Sequence, residues 1–208
     1  MKKNNSPYSA SITGGGYLQY ETDVMLPLLM SDNAEALIRD ELLNNRLLHI
    51  NAETSRSRAV TEVKRRYQAM PRSFWDDYLL MSDNDRQVAL LLVILKTYKI
   101  LFDFHIEVTI KRWNSIDHQV TSEDYMMEFN EISSRDAFVD SWTALTKKKV
   151  IGAYITILRK VGMIDNQGLL QPLRCDNFHY YLIHGEAWFL EACLLQKYEI
   201  DNIKKQLR

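Results

Sequence analysis

The sequence predicts a mainly α fold: a compact multi-helix bundle with winged helix-turn-helix-like elements and a small β-hairpin near residues 163–171. Three observations predict it. Glycine and proline number only 7 and 4 in 208 residues, too few for a chain of many strands and tight turns. Leu, Ile, Lys, Glu and Met are frequent, and apolar residues recur at helical spacing through most of the chain. Near the C-terminus, a helix, a glycine stop and a polar turn between two apolar pairs follow one another, the order of a winged unit.

Taken in order, residues 1–17 read as a flexible arm ending in Gly14-Gly15-Gly16. Val24, Met25, Leu28 and Leu29 predict a helix over 21–30. Asp32 and Glu35 form a capping-box signal for a second helix, 33–45, with Ala34, Leu37, Ile38 and Leu42 inward and Glu41 at the edge of that face. Thr54 or Ser55 can cap a third, 55–70, which Pro71 ends. A short helix over 73–81 is followed by one over 86–102, capped by the 82–85 segment. Its run 88–95 is apolar all round and marks the buried centre. Further helices are expected over 106–113, 122–131, 135–145, 146–161 with Thr146 as cap, and 185–207. Gly162 stops the helix at 161, and Asp165-Asn166-Gln167-Gly168 turns the hairpin. These elements group as an arm (1–17), an N-terminal helical, HTH-like part (18–72), a central core (73–132) and a C-terminal winged-helix-like part (133–208), packed as one unit.

Composition narrows the function classes. With 26 basic against 27 acidic residues the chain is not a polycation, so affinity for nucleic acid must come from local clusters. Two cysteines are too few for a secreted disulfide framework and fit a reducing cytoplasm. The apolar run 88–95 falls far short of the ~20 residues that cross a bilayer, and no signal peptide is evident. No membrane partner is expected.

Two helices carry basic clusters. On 146–161, Val150, Tyr154, Ile157, Leu158 and Val161 share one face. Lys148, Gly152, Thr156 and Arg159 lie opposite, flanked by Lys149 and Lys160. A helical glycine costs about 0.5–1 kcal/mol relative to alanine, so on an exposed face it admits a closely approaching surface. Lysine and arginine around it supply phosphate contacts, and Thr156 could reach a base edge. On 55–70, Arg56, Arg58, Lys64, Arg65 and Arg66, opposed only by Glu62, form the second cluster, with Ser55 and Ser57 as added hydroxyls. The bland reading of both is a solvated face with local ion pairs such as Glu62 to Arg66. The glycine run lacks the Gly-Lys-Ser/Thr ending of a phosphate loop. Cys175, His179, His184 and Cys193 lack a C-x2-C pair, and neither metal nor cofactor is expected. No catalytic constellation can be defended from spacing.

The opening Tyr8-Ser9-Ala10-Ser11-Ile12-Thr13-Gly14-Gly15-Gly16 resembles the BrxA family, small helical proteins of bacteriophage exclusion (BREX) defence loci. The likeness continues through 44–58 and resumes over Tyr154-Ile155-Thr156-Ile157-Leu158-Arg159-Lys160-Val161-Gly162-Met163-Ile164. The resemblance implies a non-enzymatic component of a phage-defence system whose modification and restriction chemistry lies in other subunits. It also implies an affinity for DNA, or for RNA as in a helical antitermination factor. The leading expectation is a cytoplasmic protein that binds double-stranded DNA, mostly through phosphates. Its contacts would be Arg56, Arg58, Lys64 and Arg65 on one helix and Lys147, Lys148, Lys149, Arg159 and Lys160 on the other, with Thr156 the candidate base reader. A protein–protein adaptor for other BREX subunits, docking through the Tyr8–Gly16 arm, and an RNA-binding protein stand as alternatives. No small-molecule substrate is expected.

Overall fold

Three helices form a small N-terminal layer: α1 (Gln19–Leu29), α2 (Ala34–Asn44) and α3 (Glu53–Gln68). They close on Met25, Leu29, Ile38, Leu48, Val60 and Val63, a cluster separate from the main core. In the computed structural model, which describes residues 5–206, α2 begins without the expected capping box. Asn33 is its N-cap and makes no side-chain cap bond. The loop that follows is ordered by two buried charges. Glu41 accepts the backbone N–H groups of Arg46, Leu47 and Leu48 at 2.9–3.1 Å. Arg56 donates to the carbonyls of Leu42 and Ile50 at 2.8 and 2.7 Å. Loop carbonyls taken out of water need such donors.

The main core forms around α5. After α4 (Arg72–Leu80), Ser82 accepts the Asp85 N–H at 3.2 Å and opens α5 (Asp83–Thr97). Every residue from 88 to 95 is at most 1% exposed, as the all-apolar run requires. The single helix expected over 86–102 is two. Tyr98 adopts an extended backbone and α6 (Lys99–Phe104) starts anew. The buried Tyr98 hydroxyl donates to Glu62 at 2.6 Å and accepts from Arg66 at 3.2 Å, so tertiary bonds override local helix preference here.

Helix continues through a π segment, His105–Ile110, into α7 (Lys111–Trp113). The π segment holds a buried polar chain in the middle of the core. Tyr125, Thr109 and Tyr154 link their hydroxyls at 3.0 and 3.1 Å, Tyr154 meets His105 Nδ1 at 2.7 Å, and His105 Nε2 meets the Ala192 carbonyl at 2.7 Å. Burial pulls the His105 pKa down to about 4, so the ring is neutral. Nε2–H then donates to Ala192, and Nδ1 accepts from Tyr154.

α8 (Ser122–Arg135) carries a full capping box between Thr121 and Asp124. The helix expected over 135–145 shrinks to α9 (Ala137–Asp140), because Asp136 caps it and Thr143 opens the next helix at once. Thr143, rather than Thr146, therefore caps α10 (Ala144–Lys160). Gly162, at φ +78°, ends α10 as expected: its N–H bonds Arg159 and the Met163 N–H bonds Leu158, a Schellman close. The 163–171 hairpin forms one isolated bridge, Ile164 with Leu170, and Gln119 pairs with Leu169 from the other side. Gly168 fits between them because a Cβ would lie 2.4 Å from the Val120 carbonyl oxygen.

The last expected helix, 185–207, breaks into pieces. A further helix, α11 (Phe178–Ile183), precedes it, and within it the chain forms α12 (Trp188–Ala192) and α13 (Lys197–Lys205). Gly185, read as a helix start, is the left-handed stop of α11, and Leu194 takes a left-handed turn at φ 61°. Residues 192–195 are all buried, a burial that one straight surface helix could not give.

Candidate functional site

The glycine arm joins the two basic helices. A 3-10 turn, Ser11–Gly14, lies against both α3 and α10. The arm does not hang free, as the sequence suggested. Ile12 is fully buried, and Tyr8 donates to Asp103 at 2.9 Å beneath the Lys99 ammonium. Arg66, itself fully buried, grips the carbonyls of Gly16 and Tyr17 and lies over the Tyr98 ring at 5.6 Å. Gly15 packs closely on α3: a Cβ there would stand 2.6 Å from the Leu18 side-chain end, which would have to shift, and 3.2 Å from the Glu62 side chain.

A groove of about 440 Å³ opens where the turn meets the helices. Its walls are Ser11, Thr13 and Gly14 of the turn, Ser57, Arg58, Thr61 and Glu62 of α3, and Lys149 of α10. Arg58 and Lys149, from the two expected clusters, thus face one space. Its carboxylate, Glu62, is buried and engaged by Tyr98, with Arg65 3.7 Å away. On the other side of the arm a wider groove of about 880 Å³ takes Thr156 and Lys160 together with Gly15 and Gly16. Glu21, Asp23 and Asp83 make that second groove more acidic.

The remaining expected residues divide. Arg56 is 8% exposed and spends its guanidinium on the 42–50 loop, so its charge is not on the surface. Lys147 is half-buried, donating to Ser133 at 2.8 Å over the Phe129 ring. Lys64, Arg65, Lys148 and Arg159 are exposed and line neither groove. Thr156 donates to the Gly152 carbonyl at 2.8 Å, which leaves its oxygen as an acceptor. Sequence reading missed Ser11, Thr13 and Thr61 as groove residues. The arm's serine-threonine content before three glycines was the available signal, but it carries no long-range contact.

The cations of these two helices differ from most others. Outside them, among the described residues, seven of thirteen lysines and arginines meet a carboxylate, as in Lys96–Glu186, Lys99–Asp103, Arg112–Asp124 and Arg174–Glu199, while Arg39, Arg72, Arg86, Lys197, Lys204 and Lys205 do not. Among the described residues, Arg58, Lys64, Lys148, Lys149, Arg159 and Lys160 have no such partner. Nor do three His, Cys, Asp or Glu residues gather there as metal ligands would. No helix among them is long and apolar enough to cross a membrane.

An all-helical protein with two unpaired basic helix faces bridged by a docked glycine arm is the class defined so far. The particular family follows from comparison with known proteins. The BrxA family model matches residues 6–178, and the chain belongs to that family, a component of a BREX phage-defence system. It is 24% identical over 165 residues to the BREX protein BrxA of Bacillus cereus (strain H3081.97), covering 77% of this chain and 80% of the relative. Its fold matches the crystal structure of an uncharacterized protein from Magnetospirillum magneticum at a TM-score of 0.77. That match is 21% identical and covers 90% of this chain and 98% of the other.

Proposed function

We propose that this protein is a non-enzymatic, cytoplasmic component of its BREX system that binds double-stranded DNA mainly through the phosphate backbone. The supporting observation is the set of unpaired cations on the outer faces of α3 and α10, brought to one groove by Arg58 and Lys149. An unpaired cation on a protein with nearly balanced charge is available to a polyanion, where a paired one would first have to break its ion pair. Arg58, Lys64, Arg65, Lys148, Lys149, Arg159 and Lys160 are the contact residues in this reading. Lys147 is a weaker one, and Arg56 shapes the loop that presents α3. The long α10 followed by the hairpin offers a recognition helix and wing, with Thr156 as acceptor toward a base edge.

The adaptor reading used the arm as a free hook, and the burial of Ile12 and the grip of Arg66 argue against that use. Fluorescence anisotropy with a random-sequence duplex at two salt concentrations tests DNA binding. Six neutralised phosphates would cost about 10³ in affinity between roughly 50 and 200 mM salt. Absence of binding at low salt rejects the reading. Competition with structured RNA separates it from RNA binding.

A further inference from the structure

We propose that the groove between the glycine arm and the two basic helices is a seat for one phosphoryl group, shared by Arg58 and Lys149, so that the arm is part of the binding surface. Resting on the DNA reading for its ligand, the seat would hold one backbone phosphate. Four hydroxyl-bearing residues, Ser11, Thr13, Ser57 and Thr61, line the same space as the two cations. Thr13 and Thr61 already donate to the Ala10 and Ser57 carbonyls, so the hydroxyls left to join the lysine and arginine as donors to an oxyanion are those of Ser11 and Ser57. The groove's acid, Glu62, is drawn aside by Tyr98 and so opposes an anion less than a free carboxylate would.

A second observation concerns Ser11. Its Oγ is buried and has no hydrogen-bond partner. Buried polar atoms are nearly always paired, and an exception calls for a reason. A phosphate oxygen, or a water carried with it, would supply the partner after a small opening of the turn. The arm itself is held in place by Arg66 from beneath, which fixes the distance between the α3 and α10 walls of the seat before any ligand arrives.

The test uses the full chain and the variants R58Q, K149Q, both together, K148Q with R159Q, and S11A, titrated with duplex DNA across salt. The slope of log affinity against log salt counts neutralised phosphates at about 0.9 each. If one phosphate is shared, R58Q and K149Q singly keep nearly the whole slope, because the remaining cation still neutralises it. The double variant then loses about 0.9, whereas K148Q with R159Q, two separate contacts, loses about 1.8. S11A keeps or raises the thermal midpoint, since it deletes an unpaired buried hydroxyl, yet weakens binding several-fold. Additive losses in R58Q and K149Q overturn the shared seat while DNA binding stands, and S11A binding like wild type removes the arm from it. If the wild type binds no duplex, inorganic phosphate is titrated and amide chemical shifts are followed. Shifts confined to 11–14 and 57–61, abolished in the double variant, support the seat with free phosphate as its ligand. No shifts overturn it together with the DNA reading.

Discussion

The two basic helices bury opposite things. α10 packs Val150, Ile151, Tyr154, Ile157 and Leu158 inward, while its outer face carries Lys148, Lys149, Arg159 and Lys160. α3 turns two of its four arginines, Arg56 and Arg66, toward the protein, beside Ala59, Val60 and Val63. The neighbours explain the difference. α10 faces α8 and the 3-10 turn of the arm, whose carbonyls are already bonded within the helix or the turn. α3 faces the arm and the 45–52 loop, irregular segments with carbonyls left over, and arginine, with five donors, is the side chain that can satisfy several of them from one position. Basic charge counted along a sequence therefore overstates the surface on α3 and not on α10.

The strongest way to break this comparison is to remove an inward arginine. Arg66→Met should lose about 2–5 kcal/mol, because it leaves the Gly16 and Tyr17 carbonyls and the buried Tyr98 oxygen without their donor, at about 1–3 kcal/mol for each group left unsatisfied. Arg56→Met, at the edge of the smaller core, should lose about 1–3 kcal/mol. Arg58→Gln should change stability by no more than about 0.5 kcal/mol while weakening DNA binding. Urea unfolding of the three variants measures the order. A stable Arg66→Met protein would mean that α3 is not held through its arginines.

On the α10 side, the inward polar group is Tyr154, which ends on His105. The folded ring has its pKa depressed from 6.5 to about 4, so between those values the unfolded chain binds more protons than the folded one. Stability is therefore complete above pH 6.5 and falls as pH drops toward 4, by about 3 kcal/mol from this group. Asp23 and Glu128 are shifted upward by burial and act with the opposite sign, so the comparison must be made against a variant. His105→Gln has no titrating ring, and its stability should be the flatter of the two from pH 6.5 to 4. Equal slopes would place the acid sensitivity elsewhere.

Periodicity made the helical class, the all-apolar 88–95 run and the Gly162 stop legible, since each depends on residues within one or two turns of one another. It failed where distant residues decide. Tyr98 breaks a helix to reach Glu62 and Arg66, and Gly185 was read as a start because the left-handed stop it provides depends on α11 before it. The candidate site behaves alike. Lys149 and Arg58 were legible as basic residues, but their meeting in one groove is set by the arm, 135 or more positions away from Lys149. Arg56 looked like its neighbours in sequence and differs only in what the loop beside it lacks.

Gly152 gives the finest test of the α10 face. It is exposed, and a Cβ placed there would meet no atom of the protein within 4 Å. Nothing in the folded chain therefore requires glycine at this position, although it costs the helix about 0.5–1 kcal/mol relative to alanine. Gly152→Ala should raise stability by about that amount, read as a higher thermal midpoint. If the missing side chain serves a closely approaching DNA backbone, the same variant should bind duplex several-fold more weakly, with its salt slope unchanged because no cation is lost. Higher stability with wild-type affinity would instead make the glycine a tolerated accident. It would also move the contact surface off the Gly152–Thr156 stripe, toward Lys149 and the arm.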